Sequence, residues 1–195
     1  MNTLDSKKFK VVLDKGFFSA ANINDLYKHH MKFLIAAKLS LKFVKTHLDT
    51  VREKMRTWTC YSQDYQLYTH SLPVVWEYVQ DRTYKGDTLN ATRRMYLHFY
   101  FSPERALEDE TTFNHRMADL QSELESGWRH PDHENQYAEY FECKTTPVRG
   151  MKVTAKEDAM TEATRNYGFF ALPSNDVKDA GKDSVQEIYD AGDPG

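Results

Sequence analysis

Long apolar runs are missing from this chain of 195 residues. No stretch approaches the roughly 18 apolar residues that a membrane span requires, so no membrane partner is expected. The opening MNTLDSKKFK lacks the apolar segment of a secretory leader, which makes a cytoplasmic protein the expectation. Cysteine is scarce: Cys60 and Cys143 stand far apart with no C-x-x-C spacing, a pattern of free thiols rather than of a disulfide or a zinc site. No internal repeat and no low-complexity tract occurs. G-x-S-x-G, P-loop, H-E-x-x-H and G-x-G-x-x-G motifs are absent as well, which leaves hydrolase-elbow, nucleotide-binding and metalloprotease readings without support.

What is present is a globular composition, 40% apolar and 28% charged, with 11 Phe, 12 Tyr and 3 Trp. The length suits one core, or one core with an inserted lobe. Net charge is −3, but unevenly spread: residues 1–58 carry 12 Lys+Arg against 5 Asp+Glu, and residues 59–195 carry 14 against 24. Such asymmetry fits a surface that faces a polyanion, and equally fits two solvated faces.

The pattern along the chain predicts an α/β opening. Phe9–Asp14 reads as a strand with a nearly continuous apolar run, of the kind covered on both faces in a parallel sheet. Ser19 is a suitable N-cap for a helix over about 20–30, and Lys32–Leu39 returns as a second strand, completing a βαβ unit. Leu41, Val44, Leu48, Val51 and Met55, spaced by three and four, predict an amphipathic helix. Residues 59–101 have strand character, in pieces around 65–69, 74–82 and 93–101, with Lys85-Gly86-Asp87 as a turn. Ser102-Pro103 starts a helix that should stop at Gly127, and HPDHENQ (130–136) reads as a polar loop. A helix over about 157–166, a short strand 168–172, and a last helix after Pro173-Ser174-Asn175-Asp176 complete the chain. The expected organisation is a core segment 1–40, an insertion lobe 41–166, and a returning strand and helix 167–195.

Asp14 is the first candidate for chemistry. It ends a strand beside a glycine, where ligands gather in open α/β sheets, and its oxygens suit Mg²⁺ or Mn²⁺. The competing reading is a strand-end aspartate that hydrogen-bonds its own turn. RRMYLHFYF (93–101) could lay Arg93 and Arg94 on phosphates, or be a strand with a buried aromatic face. His29 and His30 suit a helix end. His130 and His133 read as surface residues without partners at a zinc-site spacing.

Three stretches, VVLDKGFFSAANINDL, NYGFFALPSND and the helix ending in EIY, together resemble bacterial insertion-sequence transposases of the cut-and-paste class. In that family an RNase H-like core holds an Asp-Asp-Glu triad. Asp14-Lys15-Gly16-Phe17-Phe18-Ser19 matches the setting of the second Asp with two conservative changes. Tyr167-Gly168-Phe169-Phe170 resembles the strand that closes the β-rich insertion, and Ile188-Tyr189 resembles the start of the Tyr-Arg-Glu-Lys signature helix. The resemblance implies a partial RNase H-like core with an inserted, mostly β lobe, and DNA, specifically transposon ends, as partner. It makes Asp14 a catalytic metal ligand for Mg²⁺ or Mn²⁺, Tyr189 a signature-helix residue, and Lys15, Arg93 and Arg94 DNA contacts.

The chain departs from the family pattern in two places. Asp5 is too close to Asp14 to lie on a separate strand as the first Asp. The signature Glu would fall at position 196, and its basic position is Gly192. One of three carboxylates is thus present, and the expectation is a transposase fragment, truncated at both ends, that does not cut DNA alone. Two further readings remain: a DNA-binding remnant that modulates a full-length transposase, and a non-catalytic α/β interaction protein.

Overall fold

In the computed structural model, residues 10–81, 88–146 and 150–178 are described. They form two compact units, one taking in the chain up to Ser102 and again from Phe169, the other comprising Pro103–Gly168.

The first unit is a six-stranded mixed sheet with helices. Its opening follows the expected βαβ pattern: β1 (Lys10–Leu13), α1 (Ala20–Lys28) and β2 (Lys32–Ile35), with β1 and β2 parallel. Ser19 caps α1, its hydroxyl accepting from Asn22 N at 3.2 Å. The amphipathic stripe becomes α2 (Lys42–Met55), which buries Val44, Leu48, Val51 and Met55. A two-residue strand β3 (Tyr61–Ser62) leads into β4 (Leu67–Asp81) and β5 (Thr88–Phe101), a long antiparallel pair. The last strand, β8 (Phe169–Ser174), inserts between β2 and β5, giving the order β1-β2-β8-β5-β4-β3.

Among the described residues only β1 and β2 pair in parallel, and the other pairings in this sheet are antiparallel. β1 is an edge strand with Val12 43% exposed, so it is not the doubly covered strand that its apolar run suggested. β4 is continuous where two pieces were expected. Pro73 lies within β4, in register opposite Tyr96, with the strand intact. β8 likewise runs through Pro173 to Ser174 instead of ending before it.

Alternation along β4 and β5 separates two faces. One carries Tyr68, Leu72, Val74, Trp76 and Tyr78 with Phe101, Leu97, Met95 and Arg93 opposite them. α2 packs against this hairpin, with Phe43 at 5.4 Å from Trp76 and the Arg56 guanidinium 4.6 Å over Phe101. On the other face Tyr100 is fully buried with Leu34, Leu67 and Leu172, its ring stacked on Phe170 at 4.7 Å.

The second unit contains α3 (Pro103–Ser126), α4 (Glu134–Tyr140), the hairpin β6 (Phe141–Thr146) and β7 (Gly150–Ala155), and α5 (Glu157–Thr164). α3 begins on Pro103 as the Ser-Pro signal predicts, and stops where Gly127 adopts φ 75°. Met117, Leu120, Leu124, Tyr137 and Phe141 form its core. The polar stretch 130–136 is not a loop throughout: it holds a 3-10 turn, Pro131–His133, and the start of α4. There the Glu123 carboxylate accepts from the Tyr137 hydroxyl and lies 2.8 Å from His133 Nδ1. These hydrogen bonds, Tyr137 first and His133 second, hold the Glu123 carboxyl below its ordinary value of 4.5, against the opposing effect of burial.

A depressed carboxyl contributes stability that is complete above its ordinary value and is lost as pH falls through the lower folded one. Thermal melts of the chain between pH 5 and pH 3 should therefore show a steeper fall in Tm for the wild type than for Glu123→Gln. Parallel pH profiles would remove Glu123 from this role.

Candidate functional site

Asp14 stands at the carboxyl ends of the parallel pair, where the backbone bond from Ala36 N to Leu13 O (3.0 Å) extends the β1–β2 ladder to its edge. The residue is exposed. Its Oδ1 accepts from Lys15 N at 2.5 Å, and its carbonyl accepts from Phe17 N at 3.0 Å, closing a 3-10 turn over Lys15–Phe17. The turn-residue reading of Asp14 is thus realised in the structure. A carboxylate with one oxygen in a turn keeps further lone pairs, so this contact leaves room for a cation on the exposed side. Gly16 has open space around its Cβ position and no positive φ, so the fold of the described residues does not require glycine there. Lys15 beside it is exposed.

The turn is fastened to the hairpin. Asn22 Nδ2 donates to Phe17 O at 2.8 Å, tying α1 back to the turn. Phe18 meets Trp76 edge-on at 6.3 Å, and Trp76 Nε1 donates to Asn24 Oδ1 at 2.9 Å. Trp76 is the register partner of Arg93, so the Asp14 turn and Arg93 border the same face of the hairpin. Tyr27 adds a second tie, its hydroxyl donating to Arg94 O at 2.9 Å. Burial pushes the Tyr27 phenol far up, with the Arg93 charge opposing, so it stays a neutral donor.

Arg93 and Arg94 do not form a pair on one surface. Alternation sends them to opposite faces, Arg93 lying 5.4 Å over the Tyr78 ring and Arg94 opposite Val75. Both are exposed. Farther along β5 the buried-strand reading holds: Leu97 to Phe101 are buried. Among the described residues no group of three or more His, Cys, Asp or Glu side chains is placed to hold a metal. Asp14 thus belongs to no such group. Tyr189, Asp5 and Gly192 lie outside the described residues. Cys60 and Cys143 are free. No helix among the described residues is long and apolar enough to cross a membrane.

The two units also redistribute the charge. Pro103–Gly168 carries 8 Lys+Arg against 14 Asp+Glu, and the rest of the chain 18 against 15. The acidic excess belongs to the second unit, and the candidate residues all belong to the first. Trp76, Asn24 and Tyr27, which position the site, had no local sequence signal, because their partners are 52 to 67 residues away.

Comparison with protein-family models, with curated proteins and with solved structures returned no match.

An exposed cap whose side chain serves one turn should matter little to folding. Asp14→Ala is expected to cost about 0.5–2 kcal/mol in urea denaturation, with unchanged cooperativity. A loss well above that range would make the carboxylate a structural residue.

Proposed function

We propose that this chain is part of a DNA transposase of the Asp-Asp-Glu class, with the β1–α1–β2 unit belonging to an RNase H-like sheet and Asp14 supplying one of its carboxylates. The observation that carries this reading is the placement of Asp14. It is exposed at the carboxyl edge of a parallel βαβ pair, within the sequence Asp14-Lys15-Gly16-Phe17-Phe18-Ser19 that resembles the family motif. An acid at that edge is well placed to meet a metal-bearing phosphate. The donor set fits a hard cation through a single oxygen ligand, Asp14, and Mg²⁺ or Mn²⁺ bound by a full triad would activate a water or 3′-hydroxyl and stabilise the leaving oxygen.

The chain's own residues bind and position. Lys15 stands next to the carboxylate, and Arg93 flanks the face to which the Asp14 turn is fastened, so both would hold phosphates near Asp14. Arg94, on the opposite face, would contact a more distant phosphate. With one carboxylate assigned, this segment binds DNA and needs partner carboxylates for cutting, which full-length transposase would provide. A second reading, a non-catalytic α/β interaction protein, is favoured by one observation: Asp14 Oδ1 is already engaged with Lys15 N.

A gel-shift titration with duplex DNA at several salt concentrations separates the two. Affinity should fall as salt rises, and Arg93→Ala or Lys15→Ala should reduce the slope of log K against log salt by about one. No retardation at low salt would leave the interaction-protein reading in its place.

A further inference from the structure

α2 ends at Met55, and the chain then makes a short, internally tied turn before β3. Cys60 N donates to Thr57 O at 3.0 Å, forming a 3-10 turn over Trp58–Cys60. The Thr57 hydroxyl donates to Lys54 O at 3.0 Å and lies 3.0 Å from the Thr59 hydroxyl. Trp58 projects from this turn with 73% of its surface exposed. Leaving an indole in water costs stability that burial would supply, so its support is informative.

That support is a row of rings on one face of the sheet. Trp58 stacks on Tyr61 with centroids 5.7 Å apart and planes at 24°. Tyr61 meets Tyr68 at 5.0 Å, and Tyr68 meets Phe101 at 6.0 Å. The indole thus lies against Tyr61, which in turn meets Tyr68, while most of the Trp58 surface stays exposed. Cations run beside the row: Arg56 lies 4.6 Å over Phe101 and Arg52 lies 4.8 Å over Phe169. Residues 52–58, Arg-Glu-Lys-Met-Arg-Thr-Trp, carry three positive charges against one negative.

We propose that Trp58 is a stacking platform for an unpaired nucleotide, with the Lys54 and Arg56 side chains beside it available to the flanking phosphates. A flat, pre-oriented ring matches the π-face of a base, and any base fits it. The adjacent positive charge selects a nucleic acid strand over a neutral apolar partner. Duplex DNA keeps its bases paired and stacked, so the platform prefers single strands. This inference rests on the DNA reading above and adds to it a surface for the unpaired part of the substrate, separate from Asp14, Lys15 and Arg93.

The test uses tryptophan fluorescence. The chain has three tryptophans, so in a Trp76→Phe, Trp128→Phe background Trp58 alone reports. Titration with a short oligo-dT strand should quench Trp58 strongly, and Trp58→Ala in the otherwise wild-type chain should weaken single-strand binding about tenfold, measured by anisotropy of a labelled oligonucleotide. Trp58→Phe should retain part of that affinity, and Arg56→Ala should lower the salt slope by about one. If Trp76→Phe perturbs folding, the Trp128→Phe background with collisional iodide quenching isolates the exposed Trp58 signal from the half-buried Trp76.

The outcomes divide cleanly. Duplex retardation without Trp58 quenching by single strands overturns the platform and leaves the transposase reading standing. Quenching by single strands without any duplex binding supports the platform and counts against that reading. Absence of both defeats both. Equal affinity of Trp58→Ala and wild type for oligo-dT overturns the platform, whatever the quenching.

Discussion

The pairing of β8 with β5 is the constraint on which the first unit depends. Phe169–Ser174 aligns antiparallel with Tyr96–Phe101, and only through β8 does the β1–α1–β2 unit join the sheet of the long hairpin. The backbone contact between β8 and β2 is thin, consisting of the Leu34–Ser174 register pair and an isolated bridge from Ala37 to Ala171. Pro173 brings no N–H to that boundary, and side chains take over. Ser174 Oγ donates to Phe33 O at 2.7 Å, Phe33 N donates to Asn175 Oδ1 at 2.9 Å, and Asn175 Nδ2 donates to Met31 O at 2.8 Å. Two of these bonds engage Phe33 of β2 and the third the preceding Met31, and the one from Ser174 is buried, where an unmade bond would cost most.

The same segment reaches the amino ends of the parallel strands. Asp176 pairs with Lys32 at 2.9 Å and approaches Lys10 at 4.0 Å, two residues that are register partners across β1 and β2. These ion pairs are partly exposed and contribute modestly. Their effect is geometric: Asp176 ties the amino ends of β1 and β2 together. The Asp14 turn is held to the hairpin through Phe18, Trp76, Asn24 and Tyr27. These ties belong to Phe18, Asn24 and Tyr27, and the exposed Asp14 carboxylate itself bonds only Lys15 N among the described residues.

Local chemistry was legible in the sequence. The Ser19 cap, the three-and-four spacing of α2, and the Ser-Pro start and Gly127 stop of α3 all lie within one turn of the residues they govern, and each element appears where that chemistry places it. What local pattern misled on was Pro173, which read as the end of its strand, whereas pairing with β5 carries β8 through it. The β6–β7 hairpin and the short α4 carried no strong alternation or capping signal, and their form follows from packing on Met117, Leu120 and Leu124. At Asp14 local pattern allowed a turn or a metal ligand and the resemblance favoured the ligand; the structure shows the turn, with the carboxylate exposed. The sequence could not show that Arg93 and Arg94 diverge in their contacts, because that depends on which face of β5 meets α1 and α2. Nor could it show that Trp58 is backed by Tyr61, since the stack arises from the β3–β4 pairing.

The central claim is that Asp14 is a metal ligand and not only a turn cap. Mn²⁺ titration followed by paramagnetic broadening of backbone amide resonances tests it most directly, because broadening reports proximity to the ion whether or not any DNA is cut. In the presence of duplex DNA, the account predicts selective broadening of the Asp14, Lys15 and Gly16 amides that disappears in Asp14→Ala, with the hairpin resonances of that variant otherwise unchanged. Broadening that is absent from these amides, or that persists in Asp14→Ala, would contradict the account and leave Asp14 as the cap of its own turn.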